Sequence, residues 1–243
     1  MSVVLHIEHL SIGYATKAGQ KVVQHNLCLQ AQEGELICLL GQNGCGKSTL
    51  LRTLCNLQPA LGGKHNMSNC SASEMAERMA LVLTDRIQID QATVRDVVAI
   101  GRYPYTNMLG HLTEEDEHII DLAMHDVGIN PEQALRLINE LSDGEKQRAL
   151  IAKALAQQTP IILLDEPTAH LDLPSRIKTM NLLRELAHSQ HKCILLSTHE
   201  LELALRTADT IWLMTDKGIN TGKADSMKEK IIEAFELQEY FDK

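Results

Sequence analysis

The run Gly41-Gln42-Asn43-Gly44-Cys45-Gly46-Lys47-Ser48-Thr49 has the make-up of an anion cradle. Its glycines let the backbone bend until successive amide N–H groups point at one centre. A helix opening near Lys47 would add the positive end of its dipole. At this spacing the Lys47 ammonium reaches the β- and γ-phosphates of a nucleotide and the Ser48 hydroxyl sits on Mg²⁺. The apolar run Leu36-Ile37-Cys38-Leu39-Leu40 directly before it supplies the strand that such a loop requires, which a chance Gly-rich turn would lack. The segment therefore reads as a site for ATP and Mg²⁺, with every residue from Gly41 to Thr49 as a candidate ligand.

A second group follows the apolar run Ile161-Ile162-Leu163-Leu164, where Asp165-Glu166 sets two carboxylates at a strand tip. Asp165 is expected to support the metal together with Ser48, and Glu166 to polarise the attacking water as general base. Strand ends also carry solvated acids for no catalytic reason, and the phosphate loop upstream decides in favour of chemistry.

The elements that must hold these groups are legible as periodicities. Val3 to Glu8 and Val22 to Leu29 alternate as half-buried strands do, joined through the polar stretch Thr16 to Lys21, which predicts an antiparallel N-terminal layer. Leu36 to Leu40, Met79 to Leu83, Ile161 to Leu164 and Cys193 to Ser197 are short continuous apolar runs, the pattern of strands buried on both faces. Helical patterns lie between them, so the fold class is α/β with a mostly parallel sheet. Thr93 to Gly101, Thr113 to Val127 and Asp143 to Gln157 read as helices, and the segment 85–158 is expected to be a helical subdomain inserted between core segments 1–84 and 159–243. The tail from Asp216 predicts a turn at Gly218 to Gly222 and a helix ending near Asp242.

At 243 residues with 44% hydrophobic and 23% charged residues, the chain can bury a substantial core as one large or two small domains. A formal net charge of −9 argues against a dedicated nucleic-acid binder. Met1 to Leu10 carries no charged-then-apolar leader and no window reaches the ~18 apolar residues of a membrane span, so a cytosolic protein is expected. Cys28, Cys38, Cys45, Cys55, Cys70 and Cys193 show no metal or disulfide spacing. Cys45, inside the loop beside Lys47, is expected to favour thiolate, so that alkylation inactivates and ATP protects.

Leu141-Ser142-Asp143-Gly144-Glu145-Lys146-Gln147-Arg148 opens a helix shortly before the carboxylate strand. With it the whole chain resembles the ATP-binding cassette (ABC) ATPases, whose Leu-Ser-Gly-Gly-Gln signature falls here, on a phosphate-loop (RecA-like) core. The resemblance implies that Tyr14 stacks on adenine, that Asp172 in Ala169-His170-Leu171-Asp172 shapes a dimer interface, and that His199 in Ser197-Thr198-His199-Glu200 senses the γ-phosphate as a catalytic residue. It also implies a head-to-tail homodimer in which Ser142 and Gly144 of one copy close on ATP held by the other. Two departures stand out. Asp143 and Glu145 add negative charge beside an anion site, and the position of the family's metal-contacting glutamine holds Thr84, followed by Asp85. Thr84 or Asp85 would then touch a metal-bound water, Thr84 being the direct replacement, while Gln88 would need a slipped loop.

The helix ending in Gly101-Arg102-Tyr103-Pro104 resembles cassettes of importers for iron-siderophores, haem and cobalamin with FecCD-type permeases. That implies an energy-coupling subunit on the cytoplasmic face of the bacterial inner membrane. Its partners would be permease subunits and, indirectly, an extracytoplasmic binding protein. Tyr103 to Tyr105 could also simply close a surface turn. A soluble ABC ATPase of iron–sulfur cluster assembly is the alternative. A chromosome-type protein would need long heptads, a translation factor a second cassette, and a small-molecule kinase would leave the signature helix and His199 unexplained.

Overall fold

The structure, a computed structural model, describes residues 2–16, 19–83, 91–107 and 110–236. In chain order its elements are β1 (Val3–Thr16), β2 (Gly19–Gln32), β3 (Leu36–Leu40), α1 (Lys47–Leu54), β4 (Gly62–His65), α2 (Ala72–Arg78), β5 (Met79–Val82), α3 (Val94–Ala99), α4 (Glu114–Asp126), α5 (Pro131–Ala134), α6 (Asp143–Ala156), β6 (Ile161–Asp165), α7 (Leu173–Ser189), β7 (Cys193–Thr198), α8 (Leu201–Thr207), β8 (Thr210–Thr215), β9 (Gly218–Lys223) and α9 (Lys228–Ala234).

A six-stranded sheet runs in the order β5-β6-β7-β3-β8-β9, parallel except for the edge pair β8/β9. Because successive side chains in a strand face opposite ways, each central strand feeds two cores. Leu36, Cys38 and Leu40 of β3 face one cluster with Met180, Leu183 and Leu186 of α7 and the apolar side of α6. Ile37 and Leu39 face the other, which holds Leu50, Leu51 and Leu54 of α1 and the inner residues of a three-stranded antiparallel sheet, β2-β1-β4. Trp212 of β8, fully buried, pairs with Leu39 in register and belongs to this second core. This is the α/β phosphate-loop fold with an antiparallel N-terminal layer.

Between β5 and β6 the described residues form α3 to α6, with one isolated bridge, Thr93 to Leu137. Their starts are locally encoded. Thr93/Asp96, Thr113/Asp116, Asn130/Gln133 and Ser142/Glu145 each make a reciprocal capping box, in which the first side chain accepts an N–H and the second returns the favour. Arg102 ties the helices together. Its guanidinium donates to Asp116 at 2.9 Å, to the Ala156 carbonyl at 2.7 Å and to Gln158 at 2.9 Å, and lies 4.1 Å from the Tyr105 ring centre.

Three expectations need correction, and the expected end of a fourth lies outside the described residues. The N-terminal strands are longer than the alternating runs and approach each other to the pair Thr16 and Gly19, because cross-strand pairing carries them through polar sequence. Gly218 to Gly222 is not a turn. The chain reverses at Asp216 and Lys217, and β9 pairs antiparallel with β8. The tail helix ends at Ala234, and residues 237–243, with the expected end near Asp242, lie outside the described residues. The helix from Thr93 stops at Ala99 and continues as a tight 3-10 turn from Ile100 to Tyr105 containing Pro104. Gly101 is required there, since a Cβ would stand 2.2 Å from the Lys153 carbonyl oxygen.

Candidate active site

The carboxyl ends of β3, β6 and β7 lie side by side, the edge at which parallel α/β sheets bind ligands. From β3 the chain enters Gly41 to Gly46 and then α1. Gly44 and Gly46 adopt φ of 83° and 112°, left-handed geometry that side-chain-bearing residues resist. At Gly44 no heavy atom lies within 4 Å of where a Cβ would be, so the loop opens outward there. Gly41 is the reverse case, its missing Cβ being 2.6 Å from the Cys45 sulfur. The N-cap of α1 is Gly46, with no side-chain cap and no acid in the first turn. The first N–H groups of such a helix have no intrahelical acceptor.

Lys47 is buried, and its Nζ donates to the carbonyls of Gly41 (2.9 Å) and Gln42 (3.3 Å), which holds the ammonium within the loop's curl. Gln42 and Asn43 are exposed at the rim, and Gln42 Nε2 donates to the Ala234 carbonyl at 3.4 Å. Ser48 Oγ donates to Asp165 Oδ1 at 3.0 Å. The Thr49 hydroxyl does not point into the loop. It meets the Tyr14 hydroxyl at 2.8 Å, which brings half-exposed Tyr14 beside the start of α1.

The expected thiolate at Cys45 is overturned. Burial pushes this thiol's pKa up, and that outweighs the opposing effect of Lys47. Cys45 lines a cavity of about 90 Å³ with Gln42, Met214, Asp216 and Phe235, and the Asp216 carboxylate adds to the upward push on the thiol.

Asp165 ends β6 and is buried, accepting the Ser48 hydroxyl and, at 2.6 Å, that of Ser197. Glu166 follows with φ 46°, and its N–H donates to Ser197 Oγ at 2.9 Å. His199 Nδ1 stands 3.7 Å from Glu166 Oε2, and its Nε2 lies 3.7 Å from Glu200 Oε1. Glu200 in turn pairs with Arg176 of α7. The loop, the carboxylate pair and His199 thus form one group.

Ser142, Gly144 and Asp172 form another. No hydrogen bond or ion pair among the described residues joins Ser142 or Gly144 to the phosphate loop. Ser142 caps α6, and its hydroxyl donates to Glu145 Oε2 at 2.7 Å. Hydrogen bonds from Ser142 hold the Glu145 carboxyl below the usual range. Asp172 caps α7 by accepting the Ser175 N–H at 3.2 Å, and its pKa is lowered chiefly by the Ser175 hydroxyl and further by that N–H. A Cβ on Gly144 would lie 3.5 Å from the Ser175 hydroxyl, so the two helix starts are neighbours. Asp143 is exposed. Thr84, Asp85 and Gln88 lie outside the described residues.

Sequence reading missed Ser197, whose hydroxyl touches both carboxylate residues. The available signal was a hydroxyl closing the apolar run Ile194-Leu195-Leu196. It also missed Arg176, for which no local signal exists.

A family model described as ABC transporter matches residues 24–169. The petrobactin import ATP-binding protein FpuD of Bacillus anthracis is 36% identical, covering 96% of this chain and 86% of its own length. The iron(3+)-hydroxamate import ATP-binding protein FhuC of Bacillus subtilis is 38% identical, covering 83% of this chain and 75% of its own. Among solved structures, an inward-facing ABC transporter assigned to the metal-chelate type superposes with a TM-score of 0.85 at 27% identity, covering 97% of this chain and 90% of that one.

Proposed function

The chain belongs to the ABC transporter family as an ATP-binding, ATP-hydrolysing cassette, and we propose that it is the energy-coupling subunit of a metal-chelate importer, cleaving ATP between two copies of itself. The observation that carries the ATPase half is the meeting of Lys47, Ser48, Asp165, Glu166 and His199 at one sheet edge. Import is supported by the named relatives and by the Gly101-Arg102-Tyr103-Pro104 turn, which leaves Tyr103 exposed on a rigid base.

In this reading Tyr14 stacks on adenine while its hydroxyl is steadied by Thr49. The residues from Gly41 to Ser48 bind the phosphates, chiefly through backbone N–H groups and the Lys47 ammonium. The Ser48 hydroxyl and Asp165 carboxylate are hard oxygen donors 3.0 Å apart, a set that suits Mg²⁺. That ion, when bound, neutralises charge on the β- and γ-phosphate oxygens. Thr84 supplies a further contact to the metal's water shell. Glu166 takes the proton of the attacking water, and His199, held near it, contacts the γ-phosphate.

Ser142 and Gly144 act on the nucleotide of the second copy, which accounts for the lack of a hydrogen bond between them and the loop among the described residues. Asp172 shapes the interface between the copies. Hydrolysis removes the shared anion and lets the copies part. No helix among the described residues is long and apolar enough to cross a membrane. The transport path then belongs to permease subunits, with the cassette peripheral on the cytoplasmic face and the helices of 85–158 towards them. An extracytoplasmic binding protein would deliver the chelate.

The test is Glu166→Gln. It is expected to keep ATP binding, to lower turnover by about 10²- to 10⁴-fold, and to accumulate an ATP-dependent dimer in sedimentation. Turnover near wild type would remove Glu166 from the role of base. A purified complex with permease subunits that hydrolyses ATP without moving a ferric chelate would remove the import reading and leave the ATPase intact.

A further inference from the structure

Ser197 stands opposite Asp165 in the parallel β6/β7 register, so the two side chains share a face of the sheet. That face also carries α1 and its Ser48. The position is completely buried. A hydroxyl in such a place is costly unless its bonding capacity is used, and here the Ser197 hydroxyl donates to Asp165 Oδ1 at 2.6 Å and accepts the Glu166 N–H at 2.9 Å. The same Oδ1 takes the Ser48 hydroxyl. Glu166 sits at φ 46°, a conformation a non-glycine residue keeps only where its surroundings enforce it. Its backbone is fixed at the N–H by Ser197 and at the carbonyl by the Ala169 N–H at 3.0 Å.

This geometry points to Ser197 as a positioning residue for ATP hydrolysis. One buried hydroxyl fixes the oxygen that Asp165 offers to the metal and the backbone from which Glu166 reaches water, so the two carboxylates hold a constant relation. The inference rests on the assignment of Asp165 and Glu166 proposed above. It goes beyond that assignment by making both depend on a residue outside the phosphate loop and outside the carboxylate pair.

The test uses the full chain carrying Glu166→Gln, so that nucleotide persists, with Mn²⁺ and ATP titrated by electron paramagnetic resonance. Ser197→Ala is expected to weaken Mn²⁺ in the ATP complex by about 10-fold, the usual worth of a hydrogen bond to a charged group. ATP affinity in chelator should stay within about twofold. Because Ser197 acts through Asp165, the loss should vanish when Ser197→Ala is added to Asp165→Asn. Ser197→Cys, close in volume but a weak donor, should shift Mn²⁺ in the same direction and carries the test if the alanine variant does not fold. Unchanged Mn²⁺ affinity, a loss additive with Asp165→Asn, or an equal loss of metal-free ATP would each overturn the role. If the parent protein binds ATP no more tightly with Mn²⁺ than without, the metal assignment of Ser48 and Asp165 falls first and takes this inference with it.

Discussion

The starts of α1 and α6 are both assigned to phosphate in the proposed function, yet they are finished in opposite ways. At α1 the cap is a left-handed glycine, no side chain covers the first N–H groups, the first turn holds no acid, and Lys47 is curled into the loop. At α6 the cap is Ser142, its hydroxyl is committed to Glu145, and Asp143 and Glu145 both lie in the first turn. An anion meets open donors at the first and a resident carboxylate at the second. The contrast suits a molecule that keeps its nucleotide on one surface and lets the opposing surface come and go.

The largest effect should come from emptying the open start. Lys47→Ala is expected to weaken ATP binding on the order of 100-fold, since a buried charge-assisted contact is lost; calorimetric titration checks it, and a change below about threefold would break the comparison at its stronger end. Next is the platform of the second start. Asp116 is held below the usual carboxylate range, chiefly by hydrogen bonds from Thr113, and with Arg102 it joins α4 to the end of α6. Asp116→Ala should cost about 2 kcal/mol of stability by removing the charge-assisted hydrogen bond of the buried Arg102 guanidinium, which keeps its bonds to the Ala156 carbonyl and Gln158, measured by denaturant unfolding. A lowered pKa stabilises above the unfolded carboxylate's range, and that contribution is lost as pH falls through the folded value. The variant's stability should therefore decline less than the wild type's below about pH 4.

A smaller change should sharpen the contrast. Glu145→Gln keeps the capping box and removes the charge, so the ATP-bound dimer should tighten by roughly two- to fivefold, read by sedimentation in the Glu166→Gln background. A weaker dimer would show that the carboxylate assists the contact. Smallest is the thiol. Because burial raises the Cys45 pKa, alkylation at neutral pH should lag behind that of exposed Cys28, as peptide mass spectrometry over a time course would show.

Much of this was written locally. The strands β3, β5, β6 and β7 are continuous apolar runs because both faces are covered, and the capped helix starts follow from residues three apart. The antiparallel end of the sheet, β8 and β9, was harder. The Ile211 to Met214 run of β8 carries the same apolar signal, whereas β9 hides behind Gly218 and Gly222, since none of its residues is buried and no apolar alternation marks it. At the site, the loop and the carboxylate pair are encoded by short spacing. Cys45 misled because its neighbours in sequence supply charge while its neighbours in space supply burial. Ser197 escaped for the same reason, its meaning depending on which strand lies alongside.

Trp212, the chain's only tryptophan, gives the molecule a built-in optical probe. With its indole sealed from water and paired to Leu39, two residues ahead of Gly41, its emission should be blue-shifted and deaf to iodide while the protein is folded. A red shift then reports loosening of the strand that carries the nucleotide loop, without any label attached.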